Sequence, residues 1–275
     1  MIKTLLKLIL CIIVYAIVYI VANGVLAFSQ GSMEESSSIN LISIILFMLI
    51  RSVWVCFTMY FIIKNTYFGG RKLFLNLIIV MFFIQSFTQH IDTLFIGSAF
   101  PTMTRLNIIL IMLSGLFSLL ATVPLLVHFF QNKNNVIETL KLNIQSLIKK
   151  LGIIGIIYLF FYMFFGLFVI MRIEEFRMFY SSLEINPIML IPFQILRGIM
   201  LGIFVLPLKS MIKTKNIFIV SICLVYLCMA VDLIMPNDLL PTNIRIAHLI
   251  EMTISMILFG IIVGNIMWGR QKTSA

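Results

Sequence analysis

Eight long apolar runs constrain the fold of this chain more than any other feature of the sequence. Each run holds roughly 20 or more mostly apolar residues, the length at which an α-helix crosses about 30 Å of hydrocarbon. The runs lie near residues 5–27, 39–64, 73–97, 104–130, 152–171, 186–208, 216–235 and 244–267. The shorter alternating segments typical of a membrane barrel do not occur. The sequence therefore predicts an all-α polytopic membrane protein with eight transmembrane helices.

Composition excludes the other fold classes. The residues are 61% hydrophobic and 11% charged, whereas a soluble domain carries about a quarter charged residues. The same composition excludes a disordered chain, since disordered chains are poor in apolar residues and rich in charge. The first run follows Lys3 and Lys7 as a signal peptide would, but it is too long and lacks a small-residue cleavage site, so we expect a retained helix. All four cysteines fall inside apolar runs without a C-x-x-C pair, so we expect no metal and no cofactor.

The basic residues predict the orientation of the helices. Fourteen of the twenty Lys and Arg residues lie on one side, which takes both termini. By the positive-inside rule, both termini are cytoplasmic. The net charge of +10 then reflects this bias and attraction to anionic lipid, so membrane lipid is an expected partner and nucleic acid is not. The abundance of Ile, Lys, Asn and Phe suggests an AT-rich bacterial genome, and hence a bacterial cytoplasmic membrane.

Matching motifs in the two halves indicate an internal duplication. The pattern D-x8-P-T-x2-R occurs at residues 92–105 and 232–245, and I-x-F-x3-R occurs at 45–51 and 191–197. A third pattern, K-x7-Y-x3-Y, begins at Lys7 and at Lys150. The matches follow chain order, and the offset between them changes only in loops. We therefore predict two parallel four-helix repeats, 1–130 and 152–275, related by a pseudo-twofold axis along the membrane normal. Residues 131–151 form a cytoplasmic amphipathic linker helix in this prediction.

Four charged residues inside the predicted spans are the first candidates for a site. Arg51 and Arg197 lie roughly 15–18 Å inside their helices, where a charge usually faces a bundle interior or a watery cavity. The alternative is structural, with carbonyl groups and Asp92 and Asp232 satisfying the two arginines. Each aspartate lies near a helix end, and an arginine begins the next helix. These arginines, Arg105 and Arg245, are expected to fasten each helix hairpin through the aspartate of the same half.

Polar stripes on two helices supply further candidates. On the eighth run, His248 and Glu251 share a face, and Glu251 is predicted to come within reach of Arg197 or Arg51. On the third run, Gln85, Gln89 and Asp92 lie at helical spacing. His90 points away from this stripe and is expected to be a hydrogen-bonded interface residue. Gly260 and Gly264 form a G-x3-G pattern, which predicts close helix packing.

Three functional hypotheses fit these features. The leading one is a transporter or ligand-binding carrier with an outward-facing polar cavity for a small anionic or lipid-like ligand, because the candidate charges sum to a slight positive excess. The second is a non-catalytic membrane subunit, sensor or immunity-type partner protein. An intramembrane enzyme is the weakest hypothesis, since H-x-x-E lacks the second histidine of a zinc motif. A protein partner or a homo-oligomer stays open.

Overall fold

The apolar runs fold as helices throughout a computed structural model. It describes residues 2–29, 41–96, 104–131, 143–181, 187–234 and 240–268. Within these residues, eight helices are long and apolar enough to cross a membrane. This confirms the predicted all-α class and the predicted number of spans.

The eight long helices are numbered α1 to α8 here. Three of them, α1, α2 and α4, cover Ile2–Ser29, Leu41–Lys64 and Arg105–Phe130. Helix α3 has two α-helical segments, Gly70–Met81 and Gln89–Ile96, joined by the π-helical segment Phe82–Thr88. Helix α5 (Ile144–Met163) continues into a π-helical turn, Phe164–Val169. The last three, α6, α7 and α8, cover Pro187–Phe204, Lys215–Val231 and Thr242–Trp268. Two short helices, Glu174–Ser181 and Leu206–Met211, flank α6.

Side-chain caps fix where several helices begin. Thr104 and Thr214 accept hydrogen bonds from backbone amides three residues later, at the starts of α4 and α7. Asn143 caps α5 in the same way by accepting from the amide of Ser146, because an Asn side chain can satisfy one of the unpaired amides of a first helical turn. Helix α5 therefore begins eight residues before the predicted fifth run. The second part of the predicted linker helix, 144–151, is the start of α5, and residues 132–142 lie outside the described residues.

Glycines set the close approach of helices within the second half. A Cβ atom added at Gly198 on α6 would lie 2.5 Å from Cβ of Tyr158 and 3.0 Å from Cα of Gly155, both on α5. On α8, a Cβ at Gly260 would lie 2.9 Å from the Sγ atom of Cys223 on α7, and one at Gly264 would lie 2.6 Å from Ile219. The G-x3-G pattern is thus a packing feature, as predicted.

The two halves of the chain meet through four helices. Helix α2 packs against α7, and the π-helical segment of α3 packs against α6 and α7. At one end of the bundle, the α2–α3 connection pairs with the α6–α7 connection through a bridge between Thr66 and Ile212. The Thr66 hydroxyl donates to the carbonyl oxygen of Met211 at 3.0 Å. These contacts join residues far apart in sequence into one bundle.

Candidate functional site

Two buried arginines of equivalent position form the centre of the candidate site. Arg51 lies on α2 and Arg197 on α6, and their exposed fractions are 2% and 5%. Side chains on an α-helix tilt toward its N-terminus. Both arginines therefore extend toward the end of the bundle at which α2 and α6 begin. Asp92, near the end of α3, and Asp232, directly after α7, lie at the same end.

Arg51 contacts side chains from α1 and from the end of α7, and a residue of α3 joins the cluster through Tyr15. Its Nε donates to Oδ1 of Asp232, and its Nη1 donates to the Tyr15 hydroxyl at 3.0 Å. The guanidinium lies 4.1 Å from the ring centre of Tyr19. The Gln85 side-chain amide donates to the same Tyr15 hydroxyl at 3.3 Å. We call Arg51, Asp232, Tyr15, Tyr19 and Gln85 the Arg51 centre.

Arg197 has a similar but less complete set of partners. Its Nη1 forms an ion pair with Oδ2 of Asp92 on α3. Its guanidinium lies 5.6 Å from the ring centre of Tyr158 on α5, the same distance that separates Arg51 from the ring of Tyr15. The amide of Gln194, one turn before Arg197, lies close to the Asp92 carboxylate. Gln89 lies one turn before Asp92 in the α-helical segment Gln89–Ile96 and so shares its face of α3. We call Arg197, Asp92, Tyr158, Gln194 and Gln89 the Arg197 centre.

Each ion pair crosses between the two halves of the chain. Arg51 belongs to the first half and pairs with Asp232 of the second, while Arg197 of the second half pairs with Asp92 of the first. The expected hairpin pairs are therefore not those that the structure forms. Arg105 is exposed at the start of α4, and Arg245 is half-buried at the start of α8. Helix packing explains the difference, because α7 lies against α2 and α3 lies against α6.

Several buried polar atoms of the Arg197 centre have no hydrogen-bond partner among the described residues. They are Nε of Arg197, Oδ1 of Asp92, Oε1 of Gln89 and both polar atoms of the Gln194 side chain. Gln194 is fully buried. In the Arg51 centre, the one such atom is Oε1 of Gln85. An unmet polar group costs free energy where water is excluded. With five unmet atoms against one, the Arg197 centre has the less complete set of hydrogen bonds.

Two aromatic stacks flank the Arg197 centre along the α3–α6 contact. The rings of Phe95 and Phe193 stack with centroids 4.1 Å apart, and those of Phe83 and Phe204 stack at 4.4 Å. Asp92 lies between Phe83 and Phe95 in the sequence of α3, and Arg197 lies between Phe193 and Phe204 on α6. The unmet polar atoms therefore lie between two apolar contacts made by the same pair of helices.

His248 and Glu251 form a separate polar contact on α8. Nδ1 of His248 lies 3.3 Å from Oε2 of Glu251, and both side chains are partly exposed. Glu251 lies on α8, which packs against α5, the helix that carries Tyr158. Glu251 thus lies on the Arg197 side of the bundle, while the two arginines take aspartates as ion-pair partners. Among the described residues, no group of three or more His, Cys, Asp and Glu side chains is placed to hold a metal ion.

A surface groove lies near the start of α8. It is lined by Glu175, Met178, Phe179, Pro241, Thr242, Asn243 and Ile244. None of the ten site residues predicted from the sequence lines this groove. The residues that the sequence singled out therefore belong to the two arginine centres and to the helix α8 contact.

Among known proteins, no family model, curated protein or solved structure matches the chain. The function is therefore argued from the two centres themselves.

Sequence reasoning missed four contributors to the centres. Gln194 was not singled out, although it stands where the aligned stretch of the first half has Met48. Three tyrosines entered the repeat alignment only as matching residues of a pattern. The contacts place the rings of Tyr15, Tyr19 and Tyr158 near the two guanidinium groups. His90, in contrast, was expected to be a hydrogen-bonded residue, and its Nδ1 donates to the carbonyl oxygen of Ser86 at 2.6 Å.

Proposed function

We propose that this multi-pass membrane protein is a transporter that carries a small polar ligand between two parallel four-helix repeats. The observation that carries the proposal is the pair of crossed ion pairs, Arg51–Asp232 and Arg197–Asp92. An ion pair within one half fastens that half only. A pair that joins the halves closes when they approach and opens when they separate, so it can couple ligand binding to their relative movement.

Equivalent contacts in the two halves support the repeat. The offset of 146 residues that relates Arg51 to Arg197 also relates Thr66 to Ile212, and these two residues pair with each other. A contact between equivalent positions is what a twofold axis through the interface produces. The equal 5.6 Å distances from each arginine to its tyrosine ring point the same way.

Lysines gathered at one end of the bundle support the proposed orientation. Lys7 and Lys64 contact aromatic rings at the end of α4. Lys213, just before the start of α7, contacts the ring of Tyr67 between α2 and α3. Cationic side chains on one face are typical of the cytoplasmic side. Both termini are then cytoplasmic, and the arginine centres lie toward the outer half of a bacterial cytoplasmic membrane.

Cysteine accessibility tests the transport proposal. Gln194→Cys is introduced into a chain whose native cysteines, Cys11, Cys56, Cys223 and Cys228, are replaced by alanine. A membrane-impermeant thiol reagent is applied to right-side-out and to inside-out vesicles. We expect labelling from both faces, because a carrier exposes its central site to each side in turn.

A buried native cysteine provides the control for this experiment. Cys56 on α2 is fully buried and takes no part in either centre, so a chain that keeps only Cys56 is expected to label from neither face. Labelling of the Gln194→Cys chain from one face alone, or from neither, contradicts a transport cycle.

A non-catalytic membrane subunit is the second candidate. The Arg51 centre favours it, because a guanidinium held by an aspartate and two tyrosines is well suited to fixing helices in place. Under this hypothesis the Arg197 centre is also rigid, and the Gln194→Cys chain is not labelled. The same vesicle experiment therefore separates the two candidates.

A further inference from the structure

The unmet polar atoms of the Arg197 centre define a recognisable pattern. Three of them belong to acceptors, Oδ1 of Asp92 and the Oε1 atoms of Gln89 and Gln194. Two belong to donors, Nε of Arg197 and Nε2 of Gln194. A ligand that satisfies this set must donate about three hydrogen bonds and accept about two.

We infer that the Arg197 centre binds a small zwitterion, an α-amino acid or a close relative that carries both an ammonium and a carboxylate group. This inference rests on the proposed transport function and names its ligand class. An ammonium group has three N–H donors, which match the three unmet acceptors. A carboxylate accepts from the two unmet donors, and arginine binds carboxylates well with its planar fork.

Charge balance selects a zwitterion over a simple ion. Arg197 and Asp92 neutralise each other across the halves. An anion that took Arg197 would leave the Asp92 carboxylate unpaired in a membrane interior, and an unpaired buried charge is strongly unfavourable. A cation that took Asp92 would leave Arg197 unpaired in the same way. A zwitterion inserted between the two side chains keeps both charges paired, so the halves can separate around it without exposing a charge to lipid.

The slight positive excess expected from the sequence does not apply to this centre. Two of the arginines in that sum, Arg105 and Arg245, lie at helix starts and are exposed or half-buried. Glu251 adds a negative charge on α8, the helix that packs against α5. The local balance therefore does not favour an anionic ligand, and it leaves room for an ammonium group.

The other centre lacks the groups for such a ligand. Arg51 already donates to Asp232 and to Tyr15 and lies on the ring of Tyr19. The position equivalent to Gln194 is Met48, and the position equivalent to Gln89 is Met229. The unmet polar groups therefore lie mainly at the Arg197 centre, whereas the Arg51 centre has a hydrogen-bonded arginine and methionines at the two matching positions.

The aromatic stacks lie on either side of the centre along the α3–α6 contact. Phe95–Phe193 closes this contact on one side of Asp92, and Phe83–Phe204 closes it on the other. Separation of one stack at a time would therefore open the centre toward one side only.

Thermal unfolding of the purified full-length protein tests the ligand class. The common L-amino acids are added one at a time. Each one that raises the melting temperature is compared with its decarboxylated amine and its deaminated carboxylic acid. We expect at least one amino acid to raise the melting temperature by several degrees and its two analogues to have little effect, because each analogue leaves one charge of the ion pair unmatched.

The Gln194→Met variant links binding to the centre. It installs the residue of the equivalent position and removes a buried unmet amide, so we expect a melting temperature at or above that of the unchanged protein. Affinity for the amino acid should fall by about tenfold or more, since one tenfold step corresponds to about one lost hydrogen bond. Gln89→Met serves as a second variant. Asn76→Met, an exposed amide on α3 that bonds only its own helix, is the matched control and should bind normally.

Each other outcome overturns the inference. Equal stabilisation by the carboxylic acid alone indicates an anion site, and equal stabilisation by the amine alone indicates a cation site. No stabilisation by any common amino acid, or normal binding in Gln194→Met, rejects the zwitterion site. Labelling of the Gln194→Cys chain from both faces without amino acid binding would reject the ligand class and leave the transport proposal standing. Binding with labelling from one face would do the reverse.

Discussion

The Asp232→Ala variant is expected to lose about 3–5 kcal/mol of unfolding free energy, the cost of removing one partner of a buried ion pair. The variant leaves the Arg51 guanidinium charged and 2% exposed, with a tyrosine hydroxyl and two ring faces as its remaining described contacts. Reversible unfolding of the purified protein in detergent micelles, with increasing SDS, measures the loss. A change below about 1 kcal/mol, the range of exposed pairs, would contradict burial of this pair.

Two further variants show that the loss comes from the unpaired charge. In Arg51→Met/Asp232→Ala the charge is gone, and most of the stability should return, because apolar replacement of a buried pair is often neutral or stabilising. Asp92→Ala should cost less than Asp232→Ala. The Asp92 side chain is 23% exposed against 16% for Asp232, and Arg197 already has an unpaired Nε atom.

Gly198→Leu is expected to disrupt the α5–α6 contact and to prevent accumulation of folded protein. The first added carbon would lie 2.5 Å from Cβ of Tyr158 and 3.0 Å from Cα of Gly155. Both are atoms that cannot move without shifting a helix backbone. Overpacking of a well-packed interior costs roughly 1–3 kcal/mol, and a clash with backbone places this variant at or above the upper end. The yield of monodisperse protein in size-exclusion chromatography measures the effect.

Gly152→Leu on α5, the helix that packs against α6, is the matched control. A Cβ atom at Gly152 would have nothing within 4 Å, so leucine there should extend into open space at little cost. If both glycine variants accumulate equally, the α5–α6 contact is looser than the structure describes. If both fail, added bulk on either helix prevents folding wherever it is placed, and the loss in Gly198→Leu does not come from the close contact with Tyr158 and Gly155.

Much of the fold follows from the sequence because transmembrane helices depend on local properties. Length and apolarity give the eight spans, while the two-repeat arrangement indicated by the matching motifs of Arg51 and Arg197 stays a prediction. The ion-pair partners, in contrast, could not be predicted from local properties of the sequence. Whether Asp92 pairs with Arg105 or Arg197 depends on which helices of the two halves touch, and nothing local in the sequence encodes that contact.

The π-helical segment of α3 explains why the predicted polar stripe divides between the two centres. At 3.6 residues per turn, Gln85 and Asp92 share one face. The segment Phe82–Thr88 has the wider π-helical turn, which changes the direction of side chains after it. Gln85 then bonds to Tyr15 on α1, while Asp92 faces Arg197 on α6. Regular periodicity cannot predict this division, because the sequence of the segment carries no Pro or Gly to mark it.

The crossed ion pairs also determine when the charge of Arg51 is neutralised during synthesis of the protein. Arg51 enters the membrane with α2, and the aspartate that neutralises it follows 181 residues later. An arginine at the centre of an inserting helix costs about 2.5–3.5 kcal/mol on insertion scales. During that interval the available partners are the tyrosines of α1, made earlier, whose rings and hydroxyl group contact the guanidinium in the finished protein. The tyrosines of α1 can therefore contact Arg51 first, and Asp232 neutralises its charge only after α7 has been made. The first half reaches its final set of contacts only at that stage.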